Sequence, residues 1–297
     1  MALYPQVRAD VERAAAAMPI YDPEFDIAAS RSEARRLAAA TPGPELDGVR
    51  DLDAGGVPCR LYRPAGALPG VIVHLHGGGF VFHDVEVHDA PCRRLADAAG
   101  IAVLSVDYRL APEHRFPAAV EDVDAVVAWL DEHAAEAALD GPAYLHGDSA
   151  GGNLALGAAL RHPGRFRALG LIYPFLDPTC SFPSYAEPEH GGFEPAAAAW
   201  YWQQYAGRPG DLEDPDLAPL LSTEIGSLPP TMVVTAEHDP LRDEGEELAR
   251  RAAEAGVEVV ASRQLGQVHG FWRSPDLDAA EPVLRQVAAF LRLHHGT

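Results

Sequence analysis

Apolar and polar positions along this 297-residue chain follow two different patterns. The first 40 residues are rich in alanine and arginine, with helical periodicity around 7–18 and 31–40. Both stretches are short and followed by proline or glycine, which predicts helices packed onto a larger body. Two strand-like runs come next, at 48–52 and 57–62, and the Asp53-Ala-Gly-Gly between them reads as a hairpin. After that the apolar runs become continuous, at 71–75, 101–106, 143–145, 168–173, 231–235 and 257–261. Helical stretches at 90–99, 118–138, 150–161 and 241–255 separate most of them. Short, wholly apolar strands alternating with helices predict an α/β fold with a mostly parallel sheet buried on both faces.

One interval breaks the alternation. Residues 178–230 show no sheet strand and a single helical piece near 195–205. Insertions of this length are usually functional or disordered. Its aromatics (Phe182, Tyr185, Phe193, Trp200, Tyr201, Trp202 and Tyr205) predict an ordered cap. No internal repeat is present.

Composition narrows the chemistry. All 23 basic side chains are arginine, against 44 acidic ones, for a formal net charge of −21. Without lysine there can be no Schiff-base lysine, no phosphate-loop lysine and no Ser-x-x-Lys hydrolase. The acidic excess argues against nucleic acid and anionic membrane surfaces as partners. Cys59, Cys92 and Cys180 are an odd, scattered set, unlike a disulfide framework or a zinc site. The N-terminus carries charges where a secretion signal needs an apolar core, and no apolar stretch reaches membrane-spanning length. The expectation is a soluble cytoplasmic protein, a monomer or a homodimer.

Candidate chemistry begins with Gly147-Asp148-Ser149-Ala150-Gly151, placed between a strand run and a helical run. A serine at a sharp strand-to-helix turn needs small neighbours two residues away, and the helix N-terminus offers donors to an oxyanion. Helix capping is the plainer role for Ser149, but the placement favours catalysis. Upstream, His76-Gly77-Gly78-Gly79-Phe80 ends another strand run. Three consecutive glycines let the main chain approach a substrate and aim N–H groups at it. Downstream, Asp239 follows one strand run and His269 follows the last. Glu237 is the alternative acid, and Asp243 reads as complementing the helix dipole or pairing locally. His74 and His76 read as orienting the glycine loop. A metal set drawn from His74, His76, His83 and His88 matches no familiar ligand spacing, so no metal is expected.

Taken together, these blocks resemble the hormonesensitive-lipase-like family of α/β-hydrolases, the bacterial (family IV) carboxylesterases. The resemblance extends through Tyr108-Arg109-Leu110-Ala111-Pro112-Glu113, Phe116-Pro117-Ala118-Ala119, Asp239-Pro240-Leu241-Arg242-Asp243-Glu244-Gly245 and His269-Gly270-Phe271, in family order over residues 48–290. It implies cap helices at 1–45, a catalytic α/β-hydrolase domain at 46–177 and 231–297, and a cap insertion at 178–230. It further implies a Ser149-His269-Asp239 triad and an oxyanion hole from the N–H groups of Gly78, Gly79 and Ala150, with Gly77 a further candidate. Asp148 reads as a structural hydrogen-bonding residue. Phe80, Phe82, Trp200 and Phe271 are the expected substrate pocket. The implied reaction is hydrolysis of short- to medium-chain carboxylic esters through an acyl-enzyme, without metal or organic cofactor. The acidic excess fits a neutral ester better than an anionic one. An amidase or arylformamidase, a dehydratase or decarboxylase variant, and a non-catalytic small-molecule receptor are the alternatives on this scaffold.

Overall fold

The computed structural model describes residues 3–187, 189–274, 277 and 279–296. The strands are β1 (Gly48–Asp53), β2 (Pro58–Arg63), β3 (Leu68–Leu75) and β4 (Ile101–Val106), followed by β5 (Ala143–Asp148), β6 (Leu169–Ile172), β7 (Thr231–His238) and β8 (Val259–Val268). Among the described residues they form one eight-stranded sheet in the order β1-β2-β4-β3-β5-β6-β7-β8. β1 and β2 pair as the predicted antiparallel hairpin, and β2 pairs antiparallel with β4. The remaining neighbours are parallel.

The continuous apolar runs are explained by burial on both faces. Alternate residues of each central strand enter two separate cores. Val71, Val73, Leu104, Leu145 and Leu171 point to one, and Ile72, Val103, Tyr144 and Ile172 to the other. The first core is closed by α4 (Ala118–His133) and α5 (Ala150–Arg161), together with the apolar side of α7 (Arg242–Glu254). The second is closed by α3 (Asp89–Ala99) and α8 (Ala280–Leu293).

Several elements differ from the sequence expectation. The helix expected over 118–138 stops at His133, and the chain turns where Ala138 adopts φ +56°. β6 is trimmed to Leu169–Ile172. The last strand runs to Val268 rather than stopping at 261, because its outer residues alternate between half-buried and exposed instead of forming an apolar run. Helix α8 was not expected, although Val283, Leu284, Val287, Ala288 and Leu291 recur at helical spacing and are buried.

Before the sheet lie α1 (Arg8–Ala16) and α2 (Ile27–Ala39). α2 buries no residue fully; Ile27 packs partly buried against the first core, and polar contacts add to its docking. Arg31 donates to the carbonyls of Val81 and Ala111 at 2.8 Å each and pairs with Glu113. The interval 178–230 contains α6 (Pro195–Tyr205) and short 3₁₀ turns. α6 docks through aromatic contacts: Trp202 lies 4.2 Å from Phe175, and Tyr205 stacks on Phe80 at 3.8 Å between ring centroids. Trp202 is fully buried, so truncating it to alanine would cost roughly 3–5 kcal/mol.

No helix among the described residues is long and apolar enough to cross a membrane. The three cysteines are unpaired.

Candidate active site

Five mutually parallel strands, β3, β5, β6, β7 and β8, present their carboxyl ends along one rim of the sheet. The register brings those ends level. Leu75 stands opposite Gly147, Asp148 opposite Ile172, and His238 opposite Val268. Ser149, Asp239, His269 and the loop 76–80 each follow one of these ends, which is where open parallel sheets place their ligands.

Ser149 sits between the last residue of β5 and the first of α5, at φ +54° and ψ −122°. That is a sparsely populated backbone state for a residue with a side chain. The flanking glycines are required sterically. A β-carbon on Gly147 would run into the Gly151 backbone, and one on Gly151 into the Leu75 carbonyl. The strained turn is fixed on several sides. Ser149 N–H donates to Ile172 O at 3.0 Å, and its carbonyl accepts from Asn153 and Phe175 at 3.1 Å each. The side chain makes no capping bond to the helix.

Instead the hydroxyl meets His269. Ser149 Oγ lies 3.0 Å from His269 Nε2, and His269 Nδ1 lies 2.8 Å from Asp239 Oδ2. A carboxylate only accepts, so Nδ1 carries the hydrogen and Nε2 is left to accept from the serine hydroxyl. Asp239 is itself held by the Leu241 N–H, which donates to Oδ1 at 2.9 Å. In this arrangement the imidazole can take the hydroxyl proton while the buried carboxylate holds its orientation. The alternative acids are engaged elsewhere. Glu237 accepts from Gly266 N–H, while Asp243 accepts from Ser184 N–H and pairs with Arg242.

The glycine loop passes the same cavity. Gly78 and Gly79 line it with Ser149 and His269, at φ +125° and +60°. A β-carbon on Gly79 would enter the Tyr201 ring, and one on Gly78 the Phe82 carbonyl. Among the described residues, the N–H groups of Gly78, Gly79 and Ala150 donate to no protein acceptor. Gly77 differs: its N–H donates to Asp148 Oδ1 at 3.0 Å, so it is not available to an oxyanion. His76 and His83 both donate through Nδ1 to Gly77 O, at 2.9 and 3.1 Å. His76 also stacks on Tyr108, whose hydroxyl donates to His76 O at 2.7 Å. Burial pushes the His76 pKa down to about 4, so the ring works as a neutral donor.

Three further histidines form a buried row. His74 bonds His146 through Nδ1 at 2.9 Å and His88 through Nε2 at 3.1 Å, and His88 Nδ1 lies 3.8 Å from Asp148 Oδ1. His74, His88 and Asp148 thus approach within 4.8 Å of one another, a grouping that sequence spacing does not reveal. Both nitrogens of His74 are already used in imidazole hydrogen bonds.

The cavity encloses about 190 Å³. Its aromatic lining is not the one expected. Phe80 is buried against Tyr205 and Trp202, Phe82 packs against Phe25 and Trp200, and Phe271 lies behind Tyr173. None of Phe80, Phe82, Trp200 and Phe271 is among its lining residues; Tyr173, Phe175, Phe193 and Tyr201 are. The Tyr173 and Phe193 rings flank His269 at 4.4 and 4.7 Å between centroids. Tyr173 and Phe175 follow the end of β6, the strand beside the nucleophile turn, and that position was the available signal. Arg273, four residues past His269, also lines the cavity and was not anticipated.

A family model described as the alpha/beta hydrolase fold matches residues 72–273. The chain is 41% identical to the carboxylic ester hydrolase LipN of Mycobacterium tuberculosis, over 83% of this chain and 70% of that protein. It is 35% identical to ethyl acetate hydrolase of Pseudomonas putida, over 99% and 98% of the two. Among solved structures, an esterase of Pyrobaculum calidifontis superposes with a TM-score of 0.90 at 35% identity, covering 98% of each chain. The chain therefore belongs to the α/β-hydrolase family.

Proposed function

We propose that the protein is a serine carboxylesterase acting on short- to medium-chain esters, with its preference toward the short end. The observation that carries this reading is the unbroken hydrogen-bond chain from Ser149 through His269 to Asp239 beside a glycine loop. Ser149 attacks the ester carbonyl as His269 takes its proton, and His269 then protonates the departing alcohol. Water hydrolyses the acyl-enzyme by the same relay. The N–H groups of Gly78, Gly79 and Ala150 receive the oxyanion, each donor worth roughly 2.7–4 kcal/mol in the transition state. None of these steps requires a metal or organic cofactor. A cavity of about 190 Å³ is smaller than the roughly 300–1,000 Å³ of drug-sized ligand sites, which supports small acyl groups.

The names of the relatives support ester hydrolysis over amide hydrolysis, and the intact triad supports an enzyme over a receptor. We further propose that residues 1–45 and 178–230 form the cap, and that the protein works in the cytoplasm as a monomer or homodimer. The decisive test is incubation with a fluorophosphonate followed by mass spectrometry. The adduct is expected on Ser149, and Ser149→Ala is expected to abolish hydrolysis of nitrophenyl acetate. Unchanged turnover by that variant would refute the assignment.

A further inference from the structure

Arg273 stands at the seam between two cavities. It lines the small cavity that holds Ser149 and His269, and also a larger cleft of about 820 Å³ walled by residues of α1 and α2. The guanidinium reaches back to the residue that follows His269. A β-carbon built on Gly270, the residue after His269, would lie 3.4 Å from Arg273 Nη2.

Among the described residues, the one carboxylate paired with Arg273 is Asp148. In the inner cavity the one lining carboxylate among the described residues is Asp148, which is buried and already accepts the Gly77 N–H. Arg273 Nε and Asp148 Oδ2 form a long ion pair at 4.0 Å, without a hydrogen bond between them. A guanidinium presents its donors in a planar fork that matches a carboxylate, and Asp148 at that distance does not satisfy it. The net charge of the whole chain does not decide the matter, since distant surface charges are screened and a neighbour inside a cavity is not.

We propose that Arg273 recognises a carboxylate on the substrate, so that the preferred substrates are half-esters, short esters keeping a free carboxylate a few atoms from the scissile carbonyl. This rests on the esterase reading and adds a substrate class to it. Arg273 is here a specificity-determining residue, with Ser149 and His269 unchanged in their roles.

The test compares esters of matched length with and without the carboxylate. On the acyl side the pair is nitrophenyl hemiglutarate and nitrophenyl valerate. On the alcohol side it is carboxymethyl butyrate and ethyl butyrate, followed by pH-stat. The readout is the ratio of kcat/KM, anionic over neutral, in which any common loss of folded or active protein cancels. In at least one arm Arg273→Gln is expected to lower that ratio about tenfold, with Arg273→Lys falling between it and the wild type. The responding arm identifies the side of the ester that carries the carboxylate. A ratio that stays within about threefold in both arms, or rises, overturns the proposal. So does a wild type that hydrolyses the neutral esters and leaves both anionic ones untouched. If the wild type hydrolyses none of the four, the esterase reading itself fails.

Discussion

Asp148 Oδ1 accepts the Gly77 N–H at 3.0 Å, so the residue preceding Ser149 fastens the glycine loop to the end of β5. The two halves of the proposed site, the Ser149 hydroxyl and the glycine-loop N–H groups, are thereby set in one frame. Asp148→Ala would leave the Gly77 N–H buried without an acceptor, at a cost of about 1–3 kcal/mol in urea denaturation. Because the loop loses its anchor, kcat should fall more than KM rises, which steady-state kinetics on nitrophenyl acetate would read.

Asp239 holds the imidazole tautomer through one hydrogen bond of 2.8 Å. Asp239→Asn puts an amide where only an acceptor serves, and kcat should drop by about 10⁴ with the fold intact. Circular dichroism alongside the kinetics separates this from unfolding.

The glycines around Ser149 make a stability prediction. Gly151→Ala places a methyl on the Leu75 carbonyl, in backbone that cannot give way, and should cost about 3 kcal/mol or more. Gly210→Ala, where a β-carbon meets nothing within 4 Å, should stay within about 0.5 kcal/mol of wild type. Equal denaturation midpoints for the two variants would contradict this account of the turn.

Chain-length selection should follow Tyr201 rather than Trp200. Tyr201 lies over Gly79 and lines the cavity, whereas Trp200 packs against Phe82 outside it. Tyr201→Ala is expected to move the optimum of a nitrophenyl ester series toward longer acyl chains. Trp200→Ala should leave the order of preference in place.

The buried histidines should make the fold acid-sensitive. Burial lowers the pKa of His76 to about 4 and of His146 to about 3, and it lowers His74 and His88 in the same direction. In the unfolded chain these rings protonate near their ordinary value of about 6.5. Below that value the unfolded state binds more protons, so this contribution is complete above about pH 6.5 and is lost as the pH falls toward 4 and 3. Glu244 and Asp148, whose pKa burial raises, oppose the trend and blunt it. Urea midpoints should be lower at about pH 5 than at about pH 7.5, and a rise on acidification would contradict the assignment.

The hydrogen-bonded grouping of Ser149, His269 and Asp239 beside the glycine loop was legible because such a grouping leaves marks in the chain itself. Small residues are forced around Ser149, and the acid and base must each follow a strand. The pocket lining was not legible. Trp200, Tyr201 and Trp202 are consecutive on α6, and which of them faces the cavity depends on how the helix docks through Trp202 and Tyr205. Phe80 and Phe271 adjoin motif residues yet turn into the core, since one step along an irregular loop reverses a side chain's direction. The edge strand β8 was read short because its alternating exposed positions resemble a loop.

The backbone of Ser149 carries a wider consequence. Its φ of +54° is a conformation that glycine adopts far more readily, so the fold would gain by having no side chain at the position where the proposed chemistry needs a hydroxyl. Natural drift toward greater stability and retention of activity therefore pull in opposite directions at this residue. A descendant that replaced Ser149 with glycine would keep the architecture, probe as the sturdier protein in a denaturation experiment, and have nothing left with which to attack an ester.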